Sequence, residues 1–247
     1  MKIEYFSIKK QYEISCKIFL PDDGRIDNVI IGVHGFAGDK ESSMLKKLAT
    51  TFCLHNSAVL SFDFPAHGNS LADEKLLTIN NCKNDLYTVL EYVSNEYPSA
   101  GKSIFATSFG GYITLLCADK FVNIPLVLRA PAVTMPKVLL ENVLKINAND
   151  FKAAKYIECG FERPINLSYS FYEDLLSQEV IGSKQISLPI LIIHGDRDDI
   201  VPLSDIEAFS SSQSNVSLKI ISGADHRFKN EGEMQTIVDI TKTFLNI

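Results

Sequence analysis

The chain has 247 residues, 46% hydrophobic and 22% charged, with a net charge of −6; this is ordinary for a globular protein and leaves room for one α/β domain or two small ones. The acidic balance, with Lys and Arg dispersed, argues against a nucleic-acid surface, which needs clustered cations to face phosphates. No apolar run approaches membrane-spanning length, and the N-terminal M-K-I-E-Y-F-S-I carries charge where a signal peptide is apolar, so a cytoplasmic protein without a membrane partner is expected.

In chain order, strand patterns alternate with helical ones, which implies a mostly parallel sheet covered on both faces. Residues 3–8 and 12–20 read as two strands, and P-D-D-G after Leu20 as a turn. The β-branched run 29–33 suits a strand buried on both faces and ends in H-G-F-A-G, with a helix expected over 42–55. The strand 59–64 closes in P-A-H-G-N-S, and a helix over 79–97 carries Leu86, Val89, Leu90 and Val93 on one face. Further strands are expected at 126–128, 190–193 and 216–221, with helices from about Leu203 and Glu233.

Between 133 and 188 the alternation breaks down, and some fifty residues exceed what a connection within a compact domain needs. The segment is therefore expected to be a small cap of short helices and loops inserted after the sixth strand, with 1–132 and 189–247 forming the core. Both of its ends are expected to leave the carboxyl edge of the sheet, which sets the layer over that edge. Cys16, Cys53, Cys82, Cys117 and Cys159 are odd in number, widely spaced and without a CxxC pair, so buried reduced thiols are expected rather than disulfides or a metal site.

The stretch I-F-A-T-S-F-G-G-Y at 104–112 runs from a strand pattern through small residues into a helical pattern. That is the setting of a nucleophile elbow, where Ser108 sits on a tight turn and the positions two away, Ala106 and Gly110, are pressed against backbone. Ala106 departs from the strict Gly by one methyl. A serine hydroxyl needs an imidazole base and an acid that fixes the base's tautomer. In a parallel sheet the usable positions follow strand ends.

Of the five histidines, His34 and His194 end strands and precede Gly, His67 lies in a turn ahead of Ser108, and His55 lies near a helix end. None belongs to an HExxH or similar pair, so no metal and no cofactor are expected. His226, after the last strand, remains as the base. The acid is left open among Asp196, Asp198 and Asp199, which crowd one loop.

With H-G-F-A-G at 34–38, D-F-P-A-H-G-N-S at 63–70, A-T-S-F-G-G at 106–111, H-G-D-R-D-D-I-V-P at 194–202 and G-A-D-H at 223–226, nearly the whole chain resembles the α/β-hydrolase superfamily. Within it the resemblance is to small bacterial carboxylesterases, including cinnamoyl and feruloyl esterases, and to relatives of the serine aminopeptidases and monoacylglycerol lipases. It implies an α/β-hydrolase fold and a Ser-His-Asp triad of Ser108, His226 and Asp198, the acid being the third residue after the strand-ending Gly195. It also implies an oxyanion hole from the backbone N–H groups of Phe36 and Phe109. Asp196 and Asp199 would then shape the loop, and Asp225 the turn beside the base.

The resemblance implies a small-molecule ester as substrate. The same triad also supports monoacylglycerol, amide, thioester or carbon–carbon bond hydrolysis, since the fold does not fix the leaving group. Tyr156, Phe161, Tyr169, Phe171 and Tyr172 give the expected cap an aromatic bias, suited either to a slot for a flat acyl group or to packing the cap on the core. A hydrolase-fold binding protein without turnover is the other class of function. A decayed enzyme tends to lose a triad member, and all three are present here.

Overall fold

A strand with Val29, Ile30, Ile31 and Val33 almost in succession has no polar face to offer water. The computed structural model, which describes residues 1–160, 163–178, 180 and 185–247, places it inside an eight-stranded sheet. In chain order the elements up to the sixth strand are β1 (Lys2–Lys9), β2 (Glu13–Leu20), β3 (Asn28–Val33), α1 (Ser43–Phe52), β4 (Ser57–Phe62), α2 (Ile79–Glu96), β5 (Gly101–Thr107), α3 (Phe109–Cys117) and β6 (Leu126–Arg129). There follow α4 (Met135–Lys137), the π-helix Val138–Leu144, α5 (Ala148–Ala154), β7 (Tyr156–Cys159), β8 (Ile165–Ser168), α6 (Tyr169–Leu176), β9 (Ile190–Gly195), α7 (Leu203–Ser212), β10 (Val216–Ile221) and α8 (Glu233–Leu245).

The sheet order is β1-β2-β4-β3-β5-β6-β9-β10, parallel from β4 to β10 and antiparallel where β2 joins β1 and β4. This is the α/β-hydrolase fold. Alternate residues of the central strands feed two apolar layers. Ile30, Val59, Phe105, Val127 and Leu191 meet α1 and α8 on one face, whereas Ile31, Leu60, Ile104, Leu128 and Ile192 belong to the layer that α2, α3 and α7 cover on the other.

Local chemistry sets the element ends. The Thr78 hydroxyl caps α2 by accepting from the Asn81 amide. Cys82, Leu86, Val89 and Val93 form the buried face of that helix, while Leu90 is only half-buried. The helix expected over 42–55 ends at Phe52 and tightens into a 3-10 turn, Cys53–His55. All five cysteines are free, four buried and Cys159 half-buried. Among the described residues no helix is long and apolar enough to cross a membrane.

The segment between β6 and β9 differs from its expected form in two ways. It contains an antiparallel pair, β7 with β8, beside its short helices. Its two ends also lie at opposite edges of the sheet. β6 and β9 run parallel, with Leu126 opposite Ile190, so the chain leaves β6 at the carboxyl edge but must return to the amino edge to enter β9. There Ile186 and Pro189 are bonded to Gln213 and Leu126. The buried residues of the segment, Phe151, Ile165, Leu167, Phe171 and Leu175, are continuous with the layer under α2 and α3.

Candidate active site

At the end of β5 the backbone turns sharply, and Ser108 takes φ 50° and ψ −115° before α3 begins at Phe109. A positive φ is costly for a residue with a Cβ and persists only where neighbours hold it. Here the Ser108 amide donates to the Arg129 carbonyl at 3.0 Å, and its own carbonyl accepts from Tyr112 and Ala132, each at 3.1 Å. The small residues follow from close backbone approach. A Cβ at Gly110 would lie 2.4 Å from the His34 carbonyl oxygen, and one at Gly35 would lie 3.3 Å from the Ser108 Cβ.

The turn brings Ser108 to the two other triad candidates. Its Oγ is 3.2 Å from Nε2 of His226, whose Nδ1 is 2.7 Å from Oδ2 of Asp198. With Nδ1–H donating to the carboxylate, Nε2 presents its lone pair to the hydroxyl. The Asp198 side chain is fully buried and the His226 ring 14% exposed. Burial pushes the Asp198 carboxyl up, but the hydrogen bond and charge of His226, with the Val201 and Ile200 amides, outweigh it and hold the group below the usual carboxylate range. Those amides donate to Oδ1 at 2.7 and 2.9 Å.

The other acids of these loops face elsewhere. Asp196 accepts from the Gly223 amide at 2.6 Å and the Ser222 hydroxyl at 3.0 Å, tying the two loops together. Asp199 is exposed, and Asp225 accepts from the Arg227 amide at 2.9 Å. Three of the remaining histidines bond to backbone. His194 donates through Nε2 to the Val201 carbonyl at 3.0 Å, and burial pushes its pKa down. His34 accepts from the Phe64 amide at 3.1 Å, and His67 donates to the Pro65 carbonyl at 2.8 Å, burial pushing its pKa down to about 3. His55 accepts from Lys242 at the surface.

Phe109 opens α3, so its amide has no intrahelical acceptor. Phe36 lies in the turn closed by the Gly38 amide on the Gly35 carbonyl at 3.0 Å. Beneath that turn is a network that sequence reasoning missed. Lys40 donates to Asp63 at 2.6 Å through Nζ and at 2.8 Å through its amide, both side chains buried. Asn69 adds its amide to Asp63 and its side-chain oxygen to Lys40, each at 2.8 Å. From the segment between β6 and β9, Arg163 donates through Nη1 to the carbonyls of His67, Gly68 and Ser70 at 3.2, 2.8 and 2.8 Å. The only sequence signal for this network was Asp63 and Asn69 standing inside D-F-P-A-H-G-N-S.

Arg129, also missed, ends β6, and its carbonyl accepts the Ser108 amide. Its guanidinium lies 5.3 Å from the Phe228 ring centre. Burial pushes its pKa down to about 10 against the attraction of Asp198 and Asp225.

The aromatic residues of the segment divide. Phe171, 2% exposed, packs its ring 6.1 Å from those of both Phe36 and Phe109. Tyr172, 8% exposed, and half-buried Tyr169 pack around Phe151. Tyr156 is 51% exposed, and Phe161 lies outside the described residues. A cleft of about 930 Å³ is lined by Pro136, Leu140, Ile146, Tyr172 and Leu176 among others, and by none of the triad candidates. Among the described residues no three His, Cys, Asp or Glu side chains gather to hold a metal.

Comparison with known proteins bears on this arrangement. The sequence profile of the family described as "Serine aminopeptidase, S33" matches residues 24–171, and that of the dienelactone hydrolase family matches residues 160–241. The palmitoyl-protein thioesterase ABHD10, mitochondrial, of Homo sapiens is 22% identical over 193 residues, which are 73% of this chain and 61% of that protein. The chain thus spans less than two thirds of the length of the curated relatives it matches. Among solved structures, Est1E from Butyrivibrio proteoclasticus with ferulic acid bound superposes with a TM-score of 0.84 at 19% identity, covering 98% of each chain. Mouse ABHD10 superposes with a TM-score of 0.77 at 14% identity, covering 100% of this chain and 99% of the other. At these identities the structural likenesses establish the fold.

Proposed function

The chain belongs to the serine aminopeptidase S33 family of α/β-hydrolases, and we propose that it hydrolyses carboxylic esters through Ser108, His226 and Asp198. The observation that carries this reading is the hydrogen-bonded row Ser108–His226–Asp198, with Asp198 buried and kept ionised. As Ser108 Oγ attacks the ester carbonyl carbon, Nε2 of His226 takes the hydroxyl proton, and Asp198 stabilises the imidazolium without taking the proton itself. The amides of Phe36 and Phe109 receive the charge that develops on the carbonyl oxygen. Nε2–H then protonates the leaving alkoxide, which departs to leave acyl-Ser108. His226 next deprotonates water for attack on that acyl group, and the proton returns to Ser108 as its oxygen leaves.

We assign the segment between β6 and β9 the role of a cap over this site. Arg163 and Phe171 reach the oxyanion side, and Phe171 is the aromatic residue of the segment that supports a flat acyl group as substrate. Feruloyl and cinnamoyl esters fit that reading, and Est1E binds ferulic acid. The sequence likeness to a palmitoyl-protein thioesterase favours acyl thioesters as a second reading. A panel of p-nitrophenyl acetate, methyl ferulate, a monoglyceride, an acyl thioester and an aminoacyl amide, assayed on the parent and on Ser108→Ala, decides between these. The parent is expected to turn over p-nitrophenyl acetate with an acyl-enzyme burst, and Ser108→Ala to lower kcat by about a thousandfold or more. Activity of folded Ser108→Ala within tenfold of the parent removes Ser108 from the mechanism.

A further inference from the structure

The peptide joining Ile200 to Val201 is bonded on both sides. Its N–H, on Val201, donates to Asp198 Oδ1 at 2.7 Å. Its carbonyl, on Ile200, accepts from Nδ2 of Asn142 at 2.6 Å. Asn142 comes from another part of the fold, the π-helix Val138–Leu144, which is anchored by buried Val138, Leu139 and Leu140. We propose that Asn142 is a positioning residue for the acid of the triad, acting through this single peptide plane. The proposal rests on the triad reading above.

Two physical effects act in the same direction. A peptide whose carbonyl accepts a hydrogen bond is polarised, and its N–H becomes a better donor, so Asn142 strengthens the bond from Val201 to Asp198. The bond also fixes the plane's rotation. The next carbonyl, on Val201, is held by Nε2–H of His194 at 3.0 Å, so the loop is suspended between a side chain of β9 and one of the inserted segment. Buried Asp198 keeps its charge chiefly through the hydrogen bond and charge of His226, and the Val201 and Ile200 amides add to this while fixing its other carboxylate oxygen. Without Asn142, the half-buried Ile200 carbonyl loses its partner and the plane that faces Asp198 is free to turn. The segment then contributes to turnover even of a substrate too small to touch it.

Other bonds fasten the segment without reaching the acid loop. Asp174 on α6 accepts from the Ile79 amide at the start of α2 at 2.7 Å, which makes Asp174→Ala the control for simple loosening. The test measures kcat and KM for p-nitrophenyl acetate, with thermal melts, in Asn142→Leu, Asp174→Ala, Asp198→Asn and the double variant Asn142→Leu/Asp198→Asn. Asn142→Asp, of the same shape without the donor when ionised, replaces Asn142→Leu should that variant unfold. The expected result is a fall in kcat of about tenfold for Asn142→Leu with KM within twofold of the parent. No further fall is expected when the substitution is added to Asp198→Asn, because the effect runs through Asp198. Asp174→Ala is expected to lower the melting temperature and leave kcat within twofold.

A folded Asn142 variant with kcat within twofold of the parent overturns the proposal. So does an equal loss with and without Asp198→Asn, or an equal loss in Asp174→Ala. A parent that neither hydrolyses the acetate nor labels with a fluorophosphonate overturns the triad reading and the proposal together.

Discussion

On the side of the proposed oxyanion hole, the turn carrying Phe36 rests on the buried ion pair of Lys40 and Asp63, with Asn69 bonded to both. On the side of the candidate acid and base, the loop carrying Asp198 is held mostly by neutral groups: the Ile200 and Val201 amides on Asp198, and Asn142 and His194 on the carbonyls behind them. The first arrangement answers a buried charge with a charge, so it fails as a whole when one partner goes. The second spreads the hold over several modest bonds, each smaller alone. A third buried acid has neither kind of support in full. Asp85 on α2 accepts the Tyr12 hydroxyl at 2.7 Å, its other oxygen has no hydrogen-bond partner among the described residues, and burial pushes its pKa up to about 7 despite that bond.

The largest expected effect breaks the oxyanion side. Lys40→Met leaves Asp63 buried without its counter-charge and is expected to cost about 3–5 kcal/mol of stability by urea unfolding. A loss below about 1 kcal/mol would mean that the ion pair does not brace the turn.

On the acid–base side the expected loss is in turnover rather than in folding. Asp198→Asn is expected to lower kcat on a simple ester by about a thousandfold, since the amide no longer fixes the imidazole tautomer. Asp196→Asn and Asp199→Asn are expected to stay within about tenfold, because neither carboxylate reaches His226. A folded Asp196→Asn that proved the most damaging of the three would reassign the acid.

The smallest effect concerns Asp85 and pH. A carboxyl whose folded pKa lies above its unfolded value gives stability that is fully present below the unfolded pKa and lost as pH rises through the folded one. For Asp85 that window runs from the ordinary carboxylate range up to about pH 7. Asp85→Asn, which cannot ionise, is therefore expected to gain melting temperature relative to the parent between pH 5 and pH 8. A difference between the two proteins that stays constant over this range would contradict the assignment.

What was legible in the sequence was whatever repeats locally. The run Val29 to Val33 announces a strand covered on both faces, and A-T-S-F-G-G announces its turn because small residues interrupt an apolar run just where a helical pattern begins. Ser108 and His226 were each the candidate left at a strand end, while Asp198 came from the likeness of its loop to known hydrolases. Pairings across long separations left no such pattern. Lys40 finds Asp63, Asn142 finds Ile200, and Arg163 finds the loop 67–70 only after the sheet has brought them together. The strands β7 and β8 were missed because four residues each are too few to set a period. The return of the inserted segment to the amino edge follows from the parallel pairing of β6 and β9, a constraint of topology rather than of any residue.

The central claim, that His226 activates Ser108 as a nucleophile, is tested most directly by intact-mass and peptide-mapping mass spectrometry after brief exposure to a fluorophosphonate. One adduct per chain on the peptide carrying Ser108, absent from His226→Ala under the same conditions, is the result the geometry predicts. An unmodified parent, an adduct on another residue, or undiminished labelling of folded His226→Ala would contradict it.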